Sequence, residues 1–213
     1  MKPSLLLISG WAHGVDAIAP LGHALSNQFN IQLLTGAQAL REQKIPPCDI
    51  IITGSMGGLL AVDLLPDCCK KLVLISSTAK FCSDGEYRCG TPEKIVQRMI
   101  LQLKNDPITV LNAFFKNVHF PHPAPKSNPD YLLNELVNGL EYLLTSDIRK
   151  KVPTLEIPVL LLHGVEDRII PPSAAEWLHA HLPNSRLAIF KNAGHALPAH
   201  QFDKTIEKIN QFI

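Results

Sequence analysis

The sequence has few charged residues and almost no net charge. Asp, Glu, Lys and Arg make up 18% of the 213 residues, where about 25% is usual. This composition excludes a disordered, fibrous or coiled-coil protein. With 20 basic against 19 acidic residues, the net charge is +1, so no global field favours nucleic acid or an anionic membrane.

Long apolar runs are absent, and the cysteines are poorly spaced for a metal. No stretch is long enough for a transmembrane helix, and the apolar run at 5–8 is too short for a signal peptide. The five cysteines lack zinc spacing, and the adjacent pair Cys68-Cys69 favours a reducing compartment over a disulfide framework. We therefore expect a soluble, cytoplasmic protein without a metal.

What the sequence does contain is a series of short apolar runs, punctuated by 17 prolines. Most of the runs are continuously apolar, as in parallel strands covered on both faces, and helix-like segments alternate with them. This alternation predicts an α/β fold with a doubly wound, mainly parallel six-stranded sheet. The predicted strands are 5–9, 31–34, 50–53, 72–76, 159–162 and 187–190, and the predicted helices are 15–28, 57–65, 172–182 and 201–213.

The alternation is interrupted between the fourth and fifth predicted strands. Residues 93–104 have amphipathic helical spacing, and Asp106-Pro107 is typical of a helix start. A proline-rich loop and a third predicted helix, 130–144, follow. We expect residues 1–76 and 153–213 to form the core, with 77–152 as an inserted helical cap.

Ser55 lies where a strand turns sharply into a helix, in the segment Thr53-Gly54-Ser55-Met56-Gly57. Such a turn lifts the serine hydroxyl above the sheet and directs backbone N–H groups of the helix N-terminus towards it. The pattern is therefore consistent with a catalytic nucleophile. Taken alone, it also fits an ordinary glycine-rich turn.

Two further residues follow later strands and could complete a catalytic triad. Asp167 comes just after the fifth strand and His195 just after the sixth. An acid there can orient a histidine that serves as general base for the serine. Glu166 is the alternative acid. Taken alone, Asp167 could be an N-cap or turn aspartate, and His195 could be a surface or packing residue. The chain order Ser55, Asp167, His195 nevertheless matches a known nucleophile–acid–base order.

The loop after the first strand is a candidate oxyanion hole. In this architecture the hole combines an N–H of that loop, here from Trp11, with the N–H of the residue after the nucleophile, Met56. The Trp11 ring would then line the acyl pocket, although it could also simply pack against the cap. His13 is expected to have a structural role in the loop. The pair His119 and His122 is interpreted as part of a loop rather than a metal site.

These motifs resemble the α/β-hydrolase superfamily, and more narrowly the BioH-type pimeloyl-[acyl-carrier protein] methyl ester esterases of biotin synthesis. The resemblance rests on Gly54-Ser55-Met56-Gly57-Gly58, HGVEDRIIPP at 163–172, NAGHALP at 192–198, SGWAH at 9–13, ISSTAKFC at 75–82, the cap stretch at 105–115 and TSDIR at 145–149. The resemblance implies hydrolysis of the methyl ester on a pimeloyl chain through an acyl-enzyme, with no cofactor.

The resemblance also implies roles for individual residues. Ser55 would be the nucleophile, His195 the base and Asp167 the acid, while Phe114 and Phe115 would be pocket walls. Basic cap residues would contact an acidic acyl carrier protein, although a solvated basic face is an alternative. These basic residues are Lys80, Arg88, Lys94, Arg98, Lys104, Lys116 and Lys126.

Two residues depart from the usual elbow of these esterases. Gly54 stands where an aromatic residue is common, which would widen or reshape the pocket, and Thr53 replaces a glycine. Alternatives to the methyl esterase are therefore a general small-ester esterase or acyl thioesterase, and a catalytically silent binding protein of the same fold. A dehalogenase would need an aspartate in place of Ser55. We expect a monomer.

Overall fold

The computed structural model describes residues 2–125 and 131–213. Six strands form one sheet in the order β2-β1-β3-β4-β5-β6, and every neighbouring pair is parallel. This confirms the predicted fold class. The strands are β1 (Ser4–Ile8), β2 (Asn30–Leu34), β3 (Ile50–Gly54), β4 (Lys71–Ile75), β5 (Val159–Gly164) and β6 (Ser185–Phe190).

Helices cover both faces of the sheet, so its alternate side chains enter two separate cores. The helices outside the β4–β5 connection are α1 (Ala19–Leu25), α2 (Gly36–Glu42), α3 (Met56–Asp63), α7 (Pro172–His181), α8 (Leu197–His200) and α9 (Phe202–Asn210). Leu5 and Leu7 of β1 pack on the side of α1 and α9, whereas Leu6 and Ile8 pack on the side of α2, α3 and α7. The edge strands β2 and β6 are partly exposed, while β3, β4 and β5 are almost entirely buried.

Three helices lie between β4 and β5, where the inserted segment is predicted. They are α4 (Glu93–Asn105), α5 (Pro107–His119) and α6 (Leu133–Thr145). The predicted N-cap Asp106 accepts a hydrogen bond from the Thr109 amide at 3.1 Å. The division into a core and a cap stays a prediction, because these helices share one continuous core with α2, α3 and α7.

The base of this connection is fixed by a cluster of ion pairs. Lys80 and Arg149 each contact both Asp84 and Asp147, at N–O distances between 2.6 and 3.6 Å. Lys80 is therefore committed to carboxylates of its own chain. Within the described residues, no helix is long and apolar enough to cross a membrane.

Helix α2 and the short α8 are absent from the sequence-based expectations. Helix α2 begins with a capping box, in which the Thr35 hydroxyl accepts from the Gln38 amide and the Gln38 side chain accepts from the Thr35 amide. The spacing Thr35-x-x-Gln38 is the signal that could have predicted it. Predicted helix 15–28 is split into a 3-10 turn at Val15–Ala17 and α1.

Candidate active site

Ser55 occupies a strained turn between β3 and α3. Its backbone has φ 53° and ψ −121°, a conformation that costs a side-chain-bearing residue about 1–3 kcal/mol. The Ser55 amide donates a hydrogen bond to the Ile75 carbonyl at 2.9 Å. The turn brings α3 so close to β1 that a Cβ at Gly57 would lie 2.8 Å from the carbonyl oxygens of Ile8 and Ser9. Only glycine fits at position 57, because a Cβ would clash with these two oxygens.

Thr53 fits at its crowded position because its hydroxyl is satisfied. The side chain is buried, and Oγ1 donates to the Val73 carbonyl on β4 at 3.2 Å. A threonine can thus replace a glycine without leaving a buried polar atom unpaired. The departure at Thr53 leaves the turn at Ser55 intact.

Asp167 and His195 lie together beyond the ends of β5 and β6. Asp167 accepts a hydrogen bond at Oδ2 from His195 Nδ1 at 2.7 Å, and both side chains are buried. The other oxygen, Oδ1, accepts from the amides of Ile169 and Ile170 at 2.8 and 2.9 Å. The carboxylate is therefore fixed by the backbone of its own loop. Because it can only accept, it places the Nδ1 hydrogen on His195 and leaves Nε2 for acid–base chemistry.

Glu166, the alternative acid, is engaged elsewhere. Its Oε2 accepts from the Ala193 amide at 2.8 Å and so joins the loop after β5 to the loop after β6. Asp167 is the residue that contacts His195, and its position agrees with the predicted spacing after the strand.

A second histidine, which the sequence analysis did not single out, also contacts the acid. His163 is fully buried in β5, and its Nε2 lies 3.2 Å from Asp167 Oδ2 and 2.8 Å from the Ile170 carbonyl. Burial raises the pKa of Asp167, but electrostatic attraction to the His195 imidazole and hydrogen bonds from both histidines outweigh this effect and hold that pKa well below its usual range. The signal for His163 was its place in the HG–xx–D segment.

His195 Nε2 is buried, and among the described residues it has no hydrogen-bond partner. Ser55 and His195 line the same cavity, yet no hydrogen bond joins them there. A long nucleophile–base contact is common in an enzyme without substrate and shortens when substrate binds. The unpartnered nitrogen is thus available to receive the Ser55 proton.

The amides of Trp11 and Met56 lie on the two loops expected to form an oxyanion hole. Met56 is the first residue of α3, so its N–H precedes any intrahelical acceptor. In the part of the chain that the structure describes, neither amide donates to a protein acceptor. The Trp11 side chain is fixed by the hydrogen bond from its Nε1 to the Leu136 carbonyl of α6 at 2.8 Å.

Two cavities meet at Ser55. The adjacent α5 residues Phe114 and Phe115 line different ones. The first, of about 450 Å³, is lined by His195 and Phe115. The second, of about 510 Å³, is lined by Trp11 and Phe114 and runs between α4 and α5. Phe114 packs edge-on against Trp11 with ring centres 4.6 Å apart. Both phenylalanines therefore line cavities that meet at Ser55, and their role as walls of a substrate pocket stays a prediction.

The remaining histidines near Ser55 have structural contacts. His13 Nδ1 donates to the Trp11 carbonyl at 2.7 Å, and burial lowers the pKa of His13 to about 4. His119 and His122 contact His200, through a 3.0 Å nitrogen–nitrogen contact and by ring stacking respectively. Across residues 2–125 and 131–213, no group of three or more His, Cys, Asp or Glu is arranged to hold a metal ion.

The basic residues of the β4–β5 connection are unequal in their contacts. Lys94, Arg98, Lys104 and Lys116 are exposed on α4 and α5, and Arg98 lines the second cavity. No ion pair involves these four side chains or Arg88 within the described residues. Lys126 lies outside the described residues.

Comparison with known sequences confirms the resemblance to ester hydrolases. A family model described as serine aminopeptidase, S33, matches residues 133–201. The pimeloyl-[acyl-carrier protein] methyl ester esterase of Nitrosomonas europaea is 27% identical, over 91% of this chain and 89% of the relative. The protein of the same name from Aromatoleum aromaticum is 29% identical, over 92% of each chain.

Comparison with solved structures confirms the fold. An esterase from Exiguobacterium antarcticum has a TM-score of 0.83 at 18% identity, covering 99% of this chain and 92% of that one. An α/β hydrolase enzyme from a deep-sea metagenome library has a TM-score of 0.77 at 15% identity, covering 100% of this chain and 90% of that one. The chain therefore has the α/β-hydrolase fold.

Proposed function

We propose that this chain, with its α/β-hydrolase fold, is a serine carboxylesterase that hydrolyses a carboxylic ester through an acyl-enzyme on Ser55. The observation that carries the proposal is the buried, unpartnered Nε2 of His195, in the cavity that Ser55 lines, with Nδ1 held by Asp167. The names of the sequence relatives support the same reaction class.

The first half of the reaction forms the acyl-enzyme. His195 Nε2 takes the proton as Ser55 Oγ attacks the ester carbonyl, and negative charge develops on the carbonyl oxygen. The amides of Trp11 and Met56 stabilise that charge because they are already oriented and not used by the protein. The carbon–alkoxide bond then breaks, and His195 returns the proton to the departing alcohol.

The second half hydrolyses the acyl-enzyme by the same route. Water replaces the alcohol, His195 takes one of its protons, and the hydroxide oxygen attacks the acyl carbon. The bond from that carbon to Ser55 Oγ breaks, the serine regains its proton, and the free acid leaves. Asp167 keeps its negative charge throughout and stabilises the imidazolium form of His195 in both halves.

A chromogenic ester tests this reaction class directly. We expect the wild-type chain to release nitrophenol from p-nitrophenyl butyrate, and Ser55→Ala to reduce kcat by at least about 10⁴-fold. Ser26→Ala, at an exposed serine on the first connection, is the matched control and should retain wild-type turnover. Equal release by wild type and Ser55→Ala would refute the esterase and leave the silent binding protein as the better hypothesis.

The proposed natural substrate is pimeloyl-[acyl-carrier protein] methyl ester, as the relatives' names suggest. Lys94 and Lys104 of α4 are exposed and form no ion pair with the described residues. They support docking of an acidic carrier protein on that helix, since complementary charge accelerates association. In this proposal, helices α4, α5 and α6 form the cap, and Phe114 and Phe115 are walls of the substrate pocket. The reduced, free cysteines are compatible with the cytoplasmic location expected for this substrate.

Charge reversal separates carrier docking from the chemistry. The double variant Lys94→Glu/Lys104→Glu should raise KM for the carrier-linked methyl ester at least about tenfold, while dimethyl pimelate is hydrolysed normally. Lys204→Glu, an exposed lysine of α9, is the control. Equal KM values for all three chains would refute docking on α4, and a small-ester esterase would then explain the site better. Failure to restore biotin-free growth in a strain lacking its own esterase would count against the biotin role.

A further inference from the structure

The cavity that Ser55 and His195 line has free space beside residue 54, which is a glycine. Gly54 lines it, and a Cβ added at Gly54 would meet no atom within 4 Å. Its φ is not in the left-handed region, since no described glycine has positive φ. A larger side chain could therefore be accommodated by the backbone, and glycine at this position leaves space beside the nucleophile unfilled.

The lining of this cavity is mainly apolar. It reaches past the catalytic turn towards the core on the side of α1, where aliphatic side chains surround it. These are Ile18, Leu21, Ile52 and Ile75, and Val118 of α5 adds to the apolar lining. A space with such walls favours an apolar group of the substrate, because each methylene removed from water contributes to binding.

The position of His195 decides which half of the ester enters this cavity. The base must return its proton to the departing alkoxide, so the alcohol oxygen has to lie within hydrogen-bond reach of Nε2. His195 lines this cavity and not the second one, whereas the second is lined by Trp11, whose amide is proposed to hold the carbonyl oxygen. The two cavities thus correspond to the two halves of the ester.

We propose that the cavity opened by Gly54 is a leaving-group pocket, and that this chain hydrolyses, besides the carrier-linked methyl ester, free esters of apolar alcohols much larger than methanol. The inference rests on the proposed esterase function and adds a second substrate class to it, whereas the carrier-linked methyl ester relies on the proposed carrier docking for its affinity. A volume of about 450 Å³ is typical of small-molecule sites, whereas a water molecule occupies only about 30 Å³ in the liquid. Methanol, which adds only one carbon, would leave most of the pocket empty.

Two ester series test the assignment by changing one half of the substrate at a time. In the first, butyrate is esterified with methanol, butanol or hexanol; in the second, methyl esters carry acyl chains of four to ten carbons. Acid release is followed in a pH-stat. Each methylene that enters the pocket should raise kcat/KM up to roughly fourfold, so we expect the hexyl ester to exceed the methyl ester at least tenfold.

Filling the pocket should remove that preference. In Gly54→Leu, the hexyl-to-methyl ratio of kcat/KM should fall at least about tenfold, and the ratios within the acyl series should not change. Gly85→Leu is the matched control, because Gly85 is also a site where an added Cβ meets nothing within 4 Å, but it is exposed and lines neither cavity. It should keep the wild-type ratio.

A second variant tests the same pocket in case Gly54→Leu disturbs the fold of the turn at Ser55. Ala17→Phe changes an exposed residue of the 3-10 turn that lines the same cavity, so it should narrow the pocket without touching the nucleophile. It should lower the hexyl-to-methyl ratio as well. Labelling by a fluorophosphonate shows that Ser55 remains reactive in each variant.

Three results would overturn the proposal. No gain with alcohol length in the wild type would mean that the alcohol does not enter the cavity. A change confined to the acyl series in Gly54→Leu and Ala17→Phe would assign the cavity to the acyl chain instead. If the wild type hydrolyses no ester of either series faster than Ser55→Ala does, the proposed esterase function itself fails, which is a different outcome from the first two.

Discussion

At the scale of single residues, Asp167 is held more firmly than orientation of one histidine requires. Two amides fix Oδ1, while His195 and His163 share Oδ2. His163 also binds the Ile170 carbonyl, so it joins the end of β5 to the loop that carries the acid. We interpret His163 as a positioning residue that acts through Asp167.

Replacement of His163 tests this positioning role. His163→Ala should lower the free energy of unfolding by about 2–4 kcal/mol, because it leaves a cavity and an unpaired buried carbonyl. It should also lower kcat about 10- to 100-fold through misplacement of the acid, with KM little changed. His23→Ala, at an exposed histidine, is the control. Loss of stability with an unchanged kcat would show that His163 only packs.

The choice between the two neighbouring acids gives a second prediction at this scale. Asp167→Asn should lower kcat by about 10⁴-fold, since an amide can hold His195 in the wrong tautomer. Glu166→Gln should stay within a few-fold of wild type, because its amide oxygen can still accept from Ala193. Steady-state kinetics on p-nitrophenyl butyrate decides between them, and the reverse pattern would transfer the acid role to Glu166.

At the scale of elements, α5 separates the two cavities because it carries adjacent aromatic residues. Successive side chains on a helix point about 100° apart, so Phe114 and Phe115 can line different spaces. The start of the helix at Asp106 was predictable from the sequence. The placement of the two phenylalanine rings in different cavities could not be predicted from the sequence, since it depends on how α5 packs over Ser55.

The capping box of α2 allows a prediction about stability. Thr35→Ala should lower the free energy of unfolding by about 1 kcal/mol, because the Gln38 amide loses its acceptor at the helix start. Urea denaturation measures the effect, and Thr145→Ala, at an exposed helix end, should change stability less. Equal midpoints for wild type and Thr35→Ala would contradict a stabilising role for the cap.

At the scale of the whole molecule, local pattern predicted the six strands and the chain positions of Ser55, Asp167 and His195. These follow from continuous apolar runs and from the fact that parallel strands end at one edge of a sheet. The contact between His163 and Asp167 was not predicted, because the only sequence signal for it is the place of His163 in the HG–xx–D segment, and a histidine in an apolar run can equally be a packing residue. The space at Gly54 likewise depends on contacts between distant segments.

Two partly buried histidines predict how stability depends on pH. Burial lowers the pKa of both His13 and His200 to about 4, whereas the unfolded chain protonates histidine near about 6.5. The unfolded state therefore binds more protons between these values, so stability is full above about pH 6.5 and falls as the pH decreases towards 4. The depressed pKa of Asp167 adds a loss only at lower pH.

Urea midpoints measured at pH 7.5, 6 and 5 test this dependence. We expect the midpoint to fall across the range, and the double variant His13→Gln/His200→Gln to show a smaller fall. The exposed pair His179→Gln/His181→Gln is the control and should keep the wild-type slope. A wild-type midpoint that is constant or rises towards pH 5 would contradict the prediction.

Because Trp11 is hydrogen-bonded to α6, its fluorescence can report on changes at the candidate site. The chain has two tryptophans. Trp177 is stacked on His181 with ring centres 3.8 Å apart and lines neither of the cavities that meet at Ser55. In Trp177→Phe, the emission spectrum would come from Trp11 alone, whose indole contacts both Phe114 and the Leu136 carbonyl. Acylation of Ser55 and any displacement of α5 or α6 would then be visible as a change in emission, in real time and without a label.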